Sequence, residues 1–263
     1  MDRSSYKLYH KHEQDHDSRT YLETYYSENP DMSFKEDSVL FPVEKMHHAL
    51  VMGHITGKLL IDISAGPHIH HLYSACEFFQ EIILMRTNEQ CIMEIMKWQG
   101  DRTGAFSWGH AAAHVTNLEG KSDEWEAKEL KLKSAITHVV KFDTETESLT
   151  DLIGVPQADC VFIYGLLDLI CKDQDDYMSN LRRILKLLKP GGHLFLIGAR
   201  NASFYTVGEQ KFHMFTYDEN FVKKAFVEVG MSILQCEVMP RKSKSHLTDY
   251  DGSLFIAACK QSL

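Results

Sequence analysis

The sequence predicts a doubly wound α/β fold, and three observations carry that prediction. The run Lys58-Leu59-Leu60-Ile61-Asp62-Ile63, set between Gly57 and Gly66, shows no polar alternation, as a central strand buried on both faces of a parallel sheet must not. From residue 58 onward, short apolar runs alternate with segments of helical periodicity, the pattern of a chain of βαβ units. The turn after the first run, Ser64-Ala65-Gly66-Pro67, is built of small residues. It suits the carboxyl end of a strand, where open α/β sheets bind their ligands and helix N-termini offer backbone N–H donors.

Residues 1–17 are polar and rich in His, Lys and Asp, and read as a loosely held lead-in. Tyr21, Leu22, Tyr25 and Tyr26 recur at helical spacing, and Asn29-Pro30 ends that helix. Asp37 or Ser38 can N-cap a second helix through Phe41, Val43, Met46, Leu50 and Val51 to Gly53, with Pro42 tolerated in its first turn. These two helices are candidates for a cap over the ligand face. Strand one, residues 58–63, is followed by a helix over Ile69, Leu72, Tyr73, Cys76 and Phe79, then by strand two at Glu81–Met85. A helix from Asn88 to Trp98 breaks at Gly100–Gly104. Another, from Ser122 to Ile136, leads into strand three, Val139–Phe142, which ends at Asp143.

Strand four is Cys160–Tyr164. Asp173 or Asp175 opens a helix through Leu188, stopped by Lys189-Pro190-Gly191-Gly192, where glycine takes positive φ and proline cannot continue. Strand five is His193–Ala199. The connection from Arg200 to Tyr217 carries Phe204, Tyr205, Phe212 and Phe215 and is too apolar for plain solvent loop. Asp218 caps the last helix, and Ile233–Val238 with Leu254–Cys259 have the spacing of a closing hairpin.

Composition narrows the function classes. With 44% apolar and 25% charged residues and a net charge of −9, the 263 residues are those of an ordinary globular protein, and a nucleic-acid partner is disfavoured. One domain is expected over residues 1–263, with 1–56 as helical cap and 57–263 as α/β core. Six scattered cysteines without a CxxC pair suit reduced, buried thiols and a cytoplasmic protein. No apolar run approaches the ~18 residues of a membrane span, so no membrane partner is expected. His68 and His71 share a helix face at i, i+3 and are weak metal candidates; no His-Glu-x-x-His pattern is present, and no metal is the favoured reading.

Several stretches carry a resemblance that periodicity does not supply: Tyr21–Tyr26, Leu59–Ile63, Ser74–Glu77, Ala158–Val161, Leu187–Gly192 and Gly208–Phe212. In that order and spacing the chain is similar to the S-adenosylmethionine-dependent small-molecule amine N-methyltransferases, the nicotinamide, indolethylamine and phenylethanolamine group. The resemblance implies a seven-strand, mostly parallel, Rossmann-like methyltransferase sheet with a C-terminal antiparallel hairpin and an N-terminal helical cap, in a monomer. It implies that the cofactor would meet Tyr21 and Tyr26 on the cap, Asp62, Ser64, Ala65 and Gly66 in the first turn, Arg86, Thr87 and Cys91 after strand two, Asp143 and Thr144 after strand three, and Tyr164 after strand four. Asp168 and Tyr205 are the candidates on the amine side, Asp168 as orienting group or general base.

Departures from the family pattern cluster at these positions. The family turn resembles Asp-Ile-Gly-Ser-Gly-Pro, whereas here it is Asp62-Ile63-Ser64-Ala65-Gly66-Pro67, with a side chain where backbone meets ligand. The family's Thr-Asp-Tyr, whose acid grips ribose, is Met85-Arg86-Thr87, an acceptor exchanged for a donor of opposite charge. An asparagine becomes Cys91 and a threonine Tyr164; an acid after strand five falls on Gly198 and a serine on Met214. The favoured reading is a methyltransferase-fold protein with an eroded S-adenosylmethionine pocket, using no cofactor and acting by binding or as a structural protein. The alternative is an active N-methyltransferase of a small aromatic amine such as nicotinamide or an indolethylamine. A third is a protein holding another planar ligand where adenosine would lie.

Overall fold

A computed structural model describes residues 6–28, 34–144, 154 and 156–261; the expected helix stop at Asn29-Pro30 lies outside them. Helix α1 (Ser18–Tyr25) is N-capped by Asp17, whose carboxylate accepts from the Thr20 N–H. Helix α2 (Phe41–Met52) carries Pro42 in its first turn and buries Val43, Met46, Ala49 and Leu50. Then follow β1 (Gly57–Ser64), β2 (Phe79–Arg86), α3 (Glu89–Gln99), α4 (Gly109–Leu118), α5 (Trp125–Ala135), β3 (Ile136–Lys141) and β4 (Ala158–Tyr164). A short α6 (Leu166–Ile170) precedes α7 (Gln174–Ile184), β5 (Leu188–Arg200), the hairpin β6 (Phe204–Val207) and β7 (Gln210–His213), α8 (Glu219–Glu228), β8 (Met231–Pro240) and β9 (Gly252–Lys260).

Seven strands form one sheet in the order β3-β2-β1-β4-β5-β9-β8. The first five are mutually parallel, and β9 runs antiparallel between β5 and β8. Chain order reverses between β1 and β4, so the switch point lies at the carboxyl ends of these two strands, where Ser64 is in register with Tyr164. On the other side of β1, Ile63 is in register with Met85, which sets Arg86 beside the end of β1. The doubly wound sheet, the helical cap and the closing antiparallel strands agree with the sequence expectation.

Four differences matter for the site. The expected helix after β1 is two short 3₁₀ turns, His70–Leu72 and Ala75–Glu77. Asp37 caps no helix: residues Lys35–Leu40 form a wide π-type turn, and the Asp37 carboxylate accepts from the Lys242 and Ser243 N–H groups and the Tyr250 hydroxyl. The apolar connection after β5 is the β6–β7 hairpin. The lead-in is not loose where it is described: Lys7 exchanges backbone hydrogen bonds with Lys211 and His213, and Tyr9 and His16 are buried.

Asp37 thus ties the cap to the segment before β9. Replacing it with alanine strands three donors at a buried position, each bond to a charged acceptor being worth about 1.5–3 kcal/mol. Asp37→Ala is expected to cost about 3 kcal/mol or more in urea unfolding, whereas Leu130→Lys, at an exposed position of α5, is expected to leave the midpoint unchanged.

Candidate functional site

The carboxyl ends of β1, β2 and β4 meet around Asp62, which is fully buried. A buried carboxylate needs compensating charge and donors. Arg86, projected from the end of β2, supplies both: its Nη2 lies 2.7 Å from Asp62 Oδ2, and its remaining Nη hydrogens reach the carbonyls of Asp62, Met85 and His68. His71 Nε2 stands 2.7 Å from Asp62 Oδ1, and because a carboxylate only accepts, that nitrogen carries the proton. Ser64 Oγ donates to the same carboxylate at 3.0 Å. Burial opposes ionisation of Asp62, but Arg86 and His71 outweigh it and hold the carboxyl below its usual range. Burial leaves His71 itself below the ordinary imidazole value, with Asp62 pulling it back up.

The bond from Arg86 to the His68 carbonyl pins the chain after the turn and sets three histidines beneath the cap. His68 stacks on Tyr26 with centroids 5.3 Å apart and lies 4.2 Å from the Tyr164 ring. His70 stacks on Trp108 and His71 on Phe162. Neither ring nitrogen of His68 has a partner. Burial, reinforced by the neighbouring His71, His70 and Arg86, pushes His68 well below its ordinary value, so it is neutral at pH 7. Its ring also closes on the small-residue turn: a Cβ at Gly66 would lie 2.7 Å from both His68 Nδ1 and Tyr21 Cε1.

The sequence-predicted site residues divide into two groups. Tyr21, Tyr26, Ala65 and Tyr164 border a cavity of about 110 Å³ between the cap and the sheet, together with Asp168, Tyr205 and His68. Asp62, Ser64, Gly66, Arg86, Thr87 and Cys91 lie outside its lining. Thr87 donates to the Tyr9 hydroxyl, which in turn donates to the Ala65 carbonyl, and the Cys91 thiol sits 3.3 Å from Ser18 Oγ. Asp143 is exposed and Thr144 partly so, and the Thr144 carbonyl accepts from Arg183. For the metal candidates, His71 is committed to Asp62 and the His68 ring lies 5.7 Å from it. Among the described residues no group of three or more His, Cys, Asp or Glu could hold a metal ion.

Asp168, in α6, is buried, accepting from the Tyr217 hydroxyl at 2.6 Å and the Ala199 N–H at 2.9 Å; burial pushes its carboxyl up to about 6. The Tyr205 hydroxyl has no partner. Sequence reasoning missed Tyr217, Asp37 and Tyr250. The signal for Tyr217 was Gly198: a Cβ there would overlap the Tyr217 hydroxyl, so the tyrosine occupies space that any larger residue in β5 would need. Nothing in the sequence pairs Asp37 with a segment more than 200 residues away.

The fold and the position of this site define a class, the S-adenosylmethionine-dependent methyltransferase fold. Among solved structures, magnesium protoporphyrin IX methyltransferase from Synechocystis PCC 6803 with bound S-adenosylmethionine superposes with a TM-score of 0.57 at 12% identity, covering 97% of this chain and 94% of that one. Within that class the chain belongs to the NNMT/PNMT/TEMT family, whose profile matches residues 5–261. It is 33% identical to indolethylamine N-methyltransferase of Mus musculus over 249 residues, 95% of this chain and 94% of that protein. To nicotinamide N-methyltransferase of Homo sapiens it is 34% identical over 244 residues, 93% and 92% of the two chains.

Two outcomes are expected. Arg86→Met leaves the Asp62 carboxylate buried without its main counter-charge, and breaking such a pair costs about 3–5 kcal/mol in unfolding free energy. The second concerns pH. His16, His68, His70 and His71 all lie below their ordinary value because they are buried, His16 at about 4. As pH falls through 6.5 the unfolded chain takes up their protons and the folded chain does not. Stability therefore drops, by up to about 1.4 kcal/mol per pH unit for each group. Asp168, raised to about 6, acts in the opposite sense between pH 6 and 4. Four histidines outweigh one carboxyl, so Tm measured by calorimetry should fall steadily from pH 7 to pH 5, with a shallower fall in His68→Phe.

Proposed function

We propose that this protein is a single-domain, cytoplasmic and monomeric member of its family that has given up S-adenosylmethionine and acts by binding rather than by methyl transfer. The carrying observation is the state of Asp62: both of its oxygens are occupied by Arg86, His71 and Ser64, all from the same chain and all buried. A ribose or a methionine amine arriving there would have to break a buried ion pair before making any contact of its own. The residues do not fit the cofactor in two further respects. His68 and Tyr21 press on Gly66, where a close backbone approach to a ligand would be needed. The cavity of about 110 Å³ is also well below the roughly 300–1,000 Å³ of sites that enclose drug-sized ligands.

The amine side reads differently. Asp168, Tyr205, Gly198 and Met214 all border the remaining cavity, so what persists is a compartment sized for one small molecule. Fold alone fixes no reaction, and in this reading the compartment works without a methyl donor. Six cysteines without a disulfide among them agree with a reducing compartment, and no described helix is long and apolar enough to cross a membrane.

Titration calorimetry with S-adenosylmethionine and S-adenosylhomocysteine separates the two main readings. No heat is expected from either at 1 mM, with cooperative melting of the same sample showing that it is folded. Micromolar binding of both, about −8 kcal/mol, would overturn the proposal and favour an active small-amine N-methyltransferase with Asp168 beside the acceptor.

A further inference from the structure

Residues 6–17, which precede the cap helices, are fastened to the fold by two buried side chains. Tyr9 and His16 are 0% and 1% exposed, whereas Lys11, Gln14 and Asp17 face solvent. Tyr9 reaches the strand ends: its hydroxyl donates to the Ala65 carbonyl at 2.9 Å and accepts from the Thr87 hydroxyl at 3.3 Å. Ala65 and Thr87 are two of the positions that the family resemblance assigns to the cofactor, and here a phenol of the same chain covers them. The backbone attachment is slight. Lys7 makes one parallel bridge to β7, donating to the Lys211 carbonyl and accepting from the His213 N–H, both at 2.8 Å. The partly exposed Lys7–Asp15 ion pair closes the segment on itself rather than on the fold.

His16 sits in a shell of rings. Its centroid lies 5.2 Å from that of Tyr9, 5.1 Å from Tyr21 of α1, 5.9 Å from Tyr205 of β6 and 5.4 Å from Phe212 of β7. Its Nδ1 is buried without a partner. The elements packed on it present neutral rings, and the charge that acts on it is the Asp17 carboxylate, which is exposed and engaged with the Thr20 N–H as the N-cap of α1. With no carboxylate inside the shell, ring faces offset only part of the hydration that an imidazolium would lose there. Burial therefore holds His16 down to about 4, against smaller upward pulls from the backbone and Asp17. Outside the shell it is an ordinary histidine.

We propose that residues 6–17 are an acid-released strap: at neutral pH Tyr9 closes it over the ends of β1 and β2, and protonation of His16 frees it as a unit from those ends and from β7. The sign follows from linkage. Opening carries His16 into water, so the open form gains as pH falls through 6.5 and stops gaining near 4, where the closed imidazole takes up its own proton. Between pH 7 and pH 5 the opening constant rises about twenty-fold. Tyr9 packs on the His16 ring, so the two anchors leave together and uncover the Ala65 carbonyl and the Thr87 hydroxyl. Access to that side of the site thereby becomes a function of pH. The inference goes beyond the binding reading given above and does not rest on it.

The test is amide hydrogen exchange of the full chain, followed residue by residue by NMR at pH 7, 6 and 5 and corrected for the intrinsic exchange rate. The reporters are the Lys7 and His213 amides, whose hydrogen bonds cross between the strap and β7. Amides of β4 and β5 report unfolding of the whole domain. The opening constant of the reporters is expected to rise about twenty-fold from pH 7 to pH 5 and to exceed that of the core amides at each pH. His16→Phe keeps a ring in the shell but takes up no proton, and should cut the rise to about three-fold or less. Tyr9→Ala should raise the opening constant at least ten-fold at pH 7, and serves as the second variant should His16→Phe not melt cooperatively. Strap exchange independent of pH, an undiminished rise in His16→Phe, no effect of Tyr9→Ala, or strap and core amides opening with one constant overturns the proposal. No ligand enters the measurement, so its failure is distinct from a failure of the cofactor-free reading.

Discussion

A carboxylate fully removed from water at the switch point of the sheet is the constraint on which the rest of the site depends. Asp62 cannot remain ionised there without opposing charge, and the register of β1 on β2 delivers Arg86 to the required place. The guanidinium does more than neutralise. By also holding the His68 carbonyl it fixes the chain between Pro67 and Leu72 against the strand ends, so that His71 reaches the second carboxylate oxygen. A regular helix starting at His68 would have drawn that carbonyl into its own ladder; the two 3₁₀ turns leave it free for Arg86. One ion pair thus sets the path of the loop, the stacking of His68 under Tyr26 and of His70 on Trp108, and the floor of the cavity.

The cap is joined to this floor by polar contacts as much as by apolar packing. His70 and Tyr164, from opposite sides of the switch point, both reach the Ser38 carbonyl. Tyr9 bonds the Ala65 carbonyl from the N-terminal segment, and Asp37 holds the segment before β9. Each of these bonds is buried or partly buried, where an unmade partner costs more than the bond contributes in water. Lifting the cap from the sheet would therefore break several of them together.

The strands were legible because a buried parallel strand has no choice of composition: Lys58–Ile63 and Cys160–Tyr164 read correctly to within two residues, and His193–Ala199 lies inside a strand that starts earlier, at Leu188. Helices with an Asx residue at the start were legible too, as at Asp173 and Asp218, since that residue caps them locally. What failed was decided at long range. The apolar residues 69–79 carry a helical period, yet the loop obeys Arg86. Asp37 has the look of an N-cap, yet its donors come from Lys242, Ser243 and Tyr250. The β6–β7 hairpin was signalled only as a connection too apolar to be loop. Helix α4, rich in alanine, lies between two breaks and carried no strong amphipathic stripe.

The substitutions that set this chain apart from its family pattern come with partners, and that is informative about how the site changed. Arg86 is matched by Asp62, and Ser64 donates to the same carboxylate. Tyr164 finds the Ser38 carbonyl, and the room made by Gly198 is taken by the Tyr217 hydroxyl against Asp168. Partners within the chain thus serve positions 64, 86 and 164 and the space beside Gly198, while Arg86 Nε and the Nδ1 atoms of His70 and His71 stay buried without one. His68 and Tyr205 are among the residues that line the cavity, with the His68 ring nitrogens and the Tyr205 hydroxyl buried and without partners.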